Sequence, residues 1–95
     1  MINPFVSINQ QLEDIGYVRQ YEGQYGFIFA KNVGGGYVHL AEALAPIEEN
    51  KELKIRFYDP HVTYNSSVQV SAKELALFSK KLKEWKEQYE RKDNN

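Results

Sequence analysis

The chain has no cysteine among its 95 residues. This absence excludes disulfide bonds, thiolate metal sites and cysteine nucleophiles. No stretch approaches the roughly 18 consecutive apolar residues that a membrane span requires. The first residues show neither a basic leader nor a long apolar run, so we expect no secretory signal. The sequence thus predicts a cytoplasmic protein without membrane contact, and its length suits one domain rather than two.

An excess of positive charge is also missing. The net charge is −1, and residues 1–71 hold five of the 12 basic side chains but eight of the 13 acidic ones. Proteins that bind nucleic acid mainly by neutralising phosphates are usually strongly basic. Any nucleic-acid binding by this chain would therefore depend mainly on base stacking.

The sequence shows little that is typical of catalysis or metal binding. No residue sits in a nucleophile motif, and no spacing singles out a pair of carboxylates. Gly34–Gly36 lack the following Lys-Ser/Thr and helix of a phosphate loop. His39 and His61 are too isolated to suggest a metal site. We expect a protein that is not an enzyme and that holds neither cofactor nor metal.

Aromatic side chains are abundant, at 14% of the residues, and seven of them are tyrosines. Many lie in short segments with strand-like alternation, joined by turns that contain glycine. Residues 41–50 are rich in alanine and glutamate and predict a helical turn or two. The alternation predicts strands over residues 15–21, 25–30, 37–40, 51–58 and 67–70.

Helices are predicted at both ends of the chain. Ser7 is placed to cap a short helix over 8–14 in an N-terminal extension, residues 1–14. The capping box Ser71-Ala-Lys-Glu74 opens a helix over 71–91. This helix either packs on the strands or docks on a protein partner or a second copy, because its five large apolar residues would otherwise form an unusually large exposed patch. Those five are Leu75, Phe78, Leu82, Trp85 and Tyr89.

Five strands and a terminal helix predict a mainly β fold, a small closed or partly closed barrel. Three segments also match the motif order of a known family: 16–21 (GYVRQY), 23–28 (GQYGFI) and 36–40 (GYVHL), with fainter echoes at 53–57 and 67–70. They resemble the first strand and the two ribonucleoprotein motifs of the bacterial cold-shock proteins and related cold-shock domains. The resemblance implies a five-stranded OB-type barrel over residues 15–70 with the C-terminal helix appended. It also implies binding of single-stranded RNA or DNA on the aromatic face of the first three strands.

Strand parity places Tyr25 and Phe27 on one face of the second strand, and Tyr37 and His39 on one face of the third. We call these four residues the aromatic surface. The resemblance implies that bases stack on it, each stacked base contributing about 1–3 kcal/mol. The predicted nucleic-acid-binding residues are Arg19, Tyr21, Tyr25, Phe27, Tyr37 and His39, with secondary roles for Phe29, Lys31 and Arg56.

Each of these interpretations has an alternative. Tyr25 and Phe27 could instead pack under the C-terminal helix as part of a small core, and Phe29 could either extend the aromatic surface or contact the helix. His39 could be a structural hydrogen-bonding residue. A helix that covered the aromatic surface would block nucleic-acid binding.

The favoured prediction is sequence-tolerant binding of single-stranded nucleic acid, as a nucleic-acid chaperone or a regulator of transcription or translation. The alternative is a protein-interaction module, an adaptor or inhibitor of a larger nucleic-acid machine. Three features favour the alternative: the acidic body, the extra helix, and Gln20 at the position where cold-shock proteins carry a stacking tryptophan.

Overall fold

The computed structural model describes residues 6–44, 54–61 and 68–89. The elements run in the order helix, four strands, helix. They are α1 (Ile8–Asp14), β1 (Tyr17–Gly23), β2 (Gly26–Gly34), β3 (Tyr37–Leu44), β4 (Arg56–Tyr58) and α2 (Ala72–Tyr89).

The four strands form one antiparallel sheet in the order β1-β2-β3-β4. The mainly β fold and the C-terminal helix are therefore confirmed. The sheet is open across the described residues, with β1 and β4 at its edges, and closure into a five-stranded barrel is not confirmed.

Several predicted boundaries are wrong. The first strand covers Tyr17–Gly23 and not 15–21, and the second extends to Gly34 and not only to residue 30. Residues 68–70 belong to no strand, because they lead directly into the cap of α2. Residues 41–44 continue β3 instead of turning into a helix, since their register with β2 overrides the helix propensity of alanine and glutamate. The fourth strand is only Arg56–Tyr58, and residues 45–53 lie outside the described part of the chain.

The helix side of the sheet holds the core. The ring of Phe78 on α2 lies at the centre of this core and is fully buried. It contacts Tyr17, Phe57 and Phe29 edge to face at centroid distances of 4.9, 5.4 and 5.9 Å, and it stacks on Phe27 at 6.4 Å. Such pairs contribute about 0.5–1.5 kcal/mol each beyond the area they bury. This cluster fixes α2 across the sheet.

Both helices begin as the sequence predicts. The Ser7 hydroxyl accepts a hydrogen bond from the Gln10 backbone amide at 3.0 Å. At α2, the Glu74 amide donates to the Ser71 hydroxyl and the Ser71 amide donates to the Glu74 carboxylate, both at 3.1 Å. Leu12 of α1 is buried in the core.

The apolar stripe of α2 is rotated relative to its predicted position. Phe78 and Trp85 are buried as expected, but Leu75 is 48% exposed and Leu77 is buried. The indole Nε1 of Trp85 donates to the Gly23 carbonyl at 2.6 Å, which ties α2 to the end of β1. α2 therefore packs on the sheet, the first of its two predicted alternatives.

Candidate functional site on the open face of the sheet

The predicted aromatic surface does not exist as a continuous exposed surface. Phe27 and Phe29 are 0% and 1% exposed, so neither ring is available to stack on a base. They share a face, as parity predicted, but α2 covers that face. The alternative in which Phe27 packs beneath the helix is the arrangement that the structure shows.

Tyr25 and Tyr37 are 63% and 55% exposed, but they lie at opposite ends of β2. Tyr25 sits in the turn before Gly26, and Tyr37 pairs with Gly34 at the far end. A strand of nine residues spans roughly 26 Å at about 3.3 Å per residue. The prediction that the two rings form one stacking surface is wrong because the hairpin register separates them.

His39 and Lys31 are paired on the helix side of the sheet, in one row with Tyr17. The Tyr17 hydroxyl donates to Glu74 at 2.7 Å, and the Lys31 ammonium lies 3.7 Å from the same carboxylate. Burial disfavours ionisation of Glu74, but the hydrogen bonds from Tyr17 and Ser71 and the charge of Lys31 outweigh it and lower its pKa. Burial, with the Glu74 hydrogen bond, raises the pKa of Tyr17. Tyr17 and Lys31 join α2 to the sheet through Glu74, so these two polar groups serve the fold.

Arg19 lies at one end of a buried ion cluster that the sequence did not predict. Lys81 of α2 is fully buried, and its ammonium lies 2.9 Å from both Glu22 and Glu84. The guanidinium of Arg19 is 3.5 Å from Glu22, and the Asn9 side-chain amide donates to Glu22 at 3.2 Å. Burial opposes the charge of Glu22, but the hydrogen bonds from Lys81 and Asn9 and the two nearby cations hold its pKa below the ordinary value.

The opposite side of the sheet, which we call the open face, carries two registered rows of side chains across all four strands. Among the described residues, no helix or strand lies over it. The first row is apolar or aromatic throughout, and the second adds one acidic and one basic group. The rows are Val18–Ala30–Leu40–Tyr58 and Tyr21–Ile28–Glu42–Arg56.

The open face is unusually apolar. An antiparallel sheet with one solvated face normally alternates apolar residues toward the core with polar residues toward water. Here Ile28 and Ala30 of β2 and Leu40 of β3 face away from α2, and Glu42 is the acidic group among them. Val18 and Leu44 are 59% and 42% exposed on the same face. Such a patch is typical of a surface that another molecule covers.

The β4 end of the open face is ordered by polar contacts. The Tyr58 hydroxyl donates to the Glu42 carboxylate at 2.7 Å, and the Arg56 guanidinium lies 4.3 Å from the centre of the Tyr58 ring. The hydrogen bond to Glu42 raises the pKa of Tyr58. Of the predicted binding residues, only Tyr21 and Arg56 lie in the two rows. The sequence did contain a signal for the apolar residues of the open face that were not predicted to bind. Val38 and Leu40 alternate with Tyr37 and His39, so they lie on the opposite face of β3.

Comparison with family models, curated proteins and solved structures finds no match to this chain. The cold-shock resemblance therefore stays a prediction. In the described ranges, no helix is long and apolar enough to cross a membrane. No group of three His, Asp or Glu residues in these ranges could hold a metal ion.

Proposed function

We propose that this chain is a protein-interaction module, and that its interface is the open face of the sheet. The observation that supports the proposal is the apolar row Val18–Ala30–Leu40–Tyr58, which crosses all four strands in register. Burying apolar area is the main favourable term in protein association. The partner to which we commit is a second copy of the chain, packed sheet against sheet.

Charge favours a second copy as the partner. The open face carries one acidic and one basic group in its two rows, and these pair across neighbouring strands as Glu42 and Arg56. A two-fold axis makes the same surface meet itself, so it must be self-complementary. A neutral face with one charge of each sign meets this condition. An excess of positive charge, which would favour a nucleic acid as the partner, is missing from these rows.

The size of the face sets the expected strength of the dimer. The four strands have 7, 9, 8 and 3 residues and lie about 4.8 Å apart, which gives a flat area of roughly 400 Å² per copy. Standard interfaces bury about 800 Å² per partner, and smaller ones are weak or transient. We therefore expect a dissociation constant in the micromolar range.

Sedimentation velocity over a concentration series tests the proposal. The wild-type chain should pass from monomer to dimer, whereas Leu40→Glu should remain monomeric at all concentrations. Leu75→Glu is the matched control, because it places the same carboxylate on α2, away from the open face, and should dimerise like the wild type. Circular dichroism and Trp85 fluorescence verify that both variants are folded. A wild-type chain that is monomeric at millimolar concentration, or equal effects of both substitutions, would contradict the proposal.

A second candidate is the predicted binding of single-stranded nucleic acid, relocated to the open face. The observation that favours it is the stacked pair of Arg56 and Tyr58, with Tyr21 at the other end of the same rows, because cations and rings are what unpaired bases stack on. This candidate function also includes the prediction of a fifth strand that closes the sheet into a barrel. Titration with an oligo-pyrimidine tests it: binding should fall with added salt and weaken in Tyr21→Ala. Unchanged tyrosine fluorescence at high oligonucleotide concentration would exclude it.

A further inference from the structure

Two opposite charges on the open face stand side by side without forming an ion pair. Glu42 of β3 and Arg56 of β4 lie directly opposite each other in the ladder. The ion pairs among the described residues include neither of them. Both interact with Tyr58 instead: its hydroxyl donates to the Glu42 carboxylate at 2.7 Å, and the Arg56 guanidinium lies 4.3 Å from the centre of its ring. The tyrosine thus holds the two charged groups next to each other.

Both charged groups keep unused hydrogen-bonding capacity. A guanidinium has five N–H donors, and a carboxylate has about four acceptor positions. Among the hydrogen bonds of the described residues, only the one from Tyr58 reaches Glu42, and none begins at Arg56. Arg56 is exposed and Glu42 is half-buried, so water can reach both groups in a separate copy. A molecule that covers the open face removes this water, and it must then supply a carboxylate for Arg56 and a donor for Glu42.

A second copy supplies both groups at once. In an interface with two-fold symmetry, a residue i that contacts residue j of the partner is matched by a j that contacts i. Arg56 placed against Glu42 of the second copy therefore gives two ion pairs per dimer. Stacking on Tyr58 fixes the plane of the guanidinium, which favours two parallel hydrogen bonds to one carboxylate. Placing like charges against each other would instead weaken the dimer.

This contact also locates the dimer axis on the open face. Because Glu42 and Arg56 lie on neighbouring strands, their reciprocal contact brings the two-fold axis close to β3 and β4. Leu40 and Tyr58 are the next registered pair on the same face of these strands, so they pack beside the ion pairs. Val18 lies on β1, at the far edge of the sheet and about 14 Å from β4. It therefore belongs to the rim of the interface and not to its centre.

We infer that reciprocal ion pairs between Arg56 of one copy and Glu42 of the other orient the dimer and fix its register. The inference rests on the proposed function, because it places these contacts in the same interface. It adds what the apolar row does not determine. An apolar surface can slide or rotate on its partner, whereas two ion pairs select one arrangement.

Two charge-reversed variants test the ion pairs. Glu42→Arg and Arg56→Glu each place like charges in both contacts of a homodimer, so each should weaken homodimerisation at least about a hundredfold. An equimolar mixture of the two variants restores opposite charges at both contacts. It should form a heterodimer with an affinity within about tenfold of that of the wild-type dimer. Native mass spectrometry distinguishes the heterodimer from either homodimer by mass, and sedimentation velocity measures the affinity.

Lys54→Glu is the matched control for Arg56→Glu. It makes the same change in net charge two residues earlier in the chain, outside the ladder with β3. With Glu42→Arg it leaves one of the two contacts like-charged, so this heterodimer should be at least about tenfold weaker than the one with Arg56→Glu. Heterodimers of equal strength would show general attraction between oppositely charged proteins and overturn the inference. Circular dichroism verifies that all three variants are folded.

A second measurement tests the position of the axis. Leu40→Glu should abolish dimerisation, whereas Val18→Glu places the same carboxylate at the rim and should weaken it less than about tenfold. Equal losses would contradict an axis near β3 and β4. A wild-type chain that dimerises while the mixed variants stay monomeric would leave the dimer standing and overturn the ion pairs. A wild-type chain that stays monomeric at millimolar concentration would overturn both, so the two failures give different results.

Discussion

At the residue scale, the most informative side chain is Lys81, which is fully buried although lysine almost never is. Its ammonium is held by Glu22 and Glu84 and lies 5.8 Å from the centre of the Phe29 ring. The sequence could not predict this arrangement, since Lys81 has the pattern of an ordinary exposed polar residue beside the apolar stripe of α2. Only the rotation of α2 on the sheet places it in the interior.

Removing one partner of Lys81 should destabilise the fold in proportion to the burial of that partner. We expect Glu22→Gln to lower the free energy of unfolding by about 1.5–3 kcal/mol, because a charge-assisted bond is lost inside the protein. Glu84→Gln breaks a bond of equal length, but Glu84 is 30% exposed against 7% for Glu22, so the loss should be smaller. Urea unfolding at neutral pH measures both. Equal losses would show that burial does not set the strength of this cluster.

The lowered pKa values of two carboxylates, Glu22 and Glu74, predict how stability depends on pH. The pKa values of Glu22 and Glu74 are lowered from the ordinary 4.5 in the folded chain. The unfolded state therefore binds more protons as the pH falls below this value, and stability decreases with falling pH. The stabilisation is complete above about 4.5 and is lost as the pH falls through the two lowered values. Urea unfolding between pH 7 and pH 2 should show this loss, and Glu22→Gln should make it smaller. A profile unchanged by that substitution would contradict the assignment to Glu22.

At the scale of elements, strand parity was predictable but the core face of the sheet was not. Phe27 and Phe29 alternate with Ile28 and Ala30, so both faces of β2 are apolar, and alternation alone does not say which one a helix covers. The motif resemblance favoured exposure of Phe27. In the structure Phe27 stacks on Phe78 of α2 and is therefore buried. The capping signals were predictable because they depend only on nearby residues. The register that separates Tyr25 from Tyr37 depends on the full length of β2.

The close pairing of β2 with β3 gives a prediction at this scale. Gly26 has φ +134°, and a side chain there would collide with the carbonyl oxygen of Ala43. Gly26→Ala should therefore destabilise the chain by at least about 3 kcal/mol or prevent folding. Gly34→Ala is the control, with φ +92° but open space around it, and should cost only about 1–2 kcal/mol. Thermal unfolding compares them, and similar midpoints would contradict the close approach at Gly26.

At the scale of the whole molecule, the sheet has two apolar faces with different roles. One face packs on α2 through Phe78, Trp85 and the buried ion cluster. The other is open among the described residues and carries the row that ends at Tyr58. The sequence contained the residues of both faces, but their roles follow from where α2 docks. This asymmetry is the basis for proposing that the open face meets a second copy.

Methyl chemical shifts on dilution test this claim most directly. Ala30 and Leu40 have methyl groups on the open face, whereas Ala43 of β3 and Leu77 of α2 have methyl groups in the core between the sheet and α2. A ¹³C-correlated dilution series from millimolar to low micromolar protein should move the first pair along one binding curve and leave the second pair unchanged. Methyl signals of Ala30 and Leu40 that stay constant over the whole range would contradict an interface on the open face.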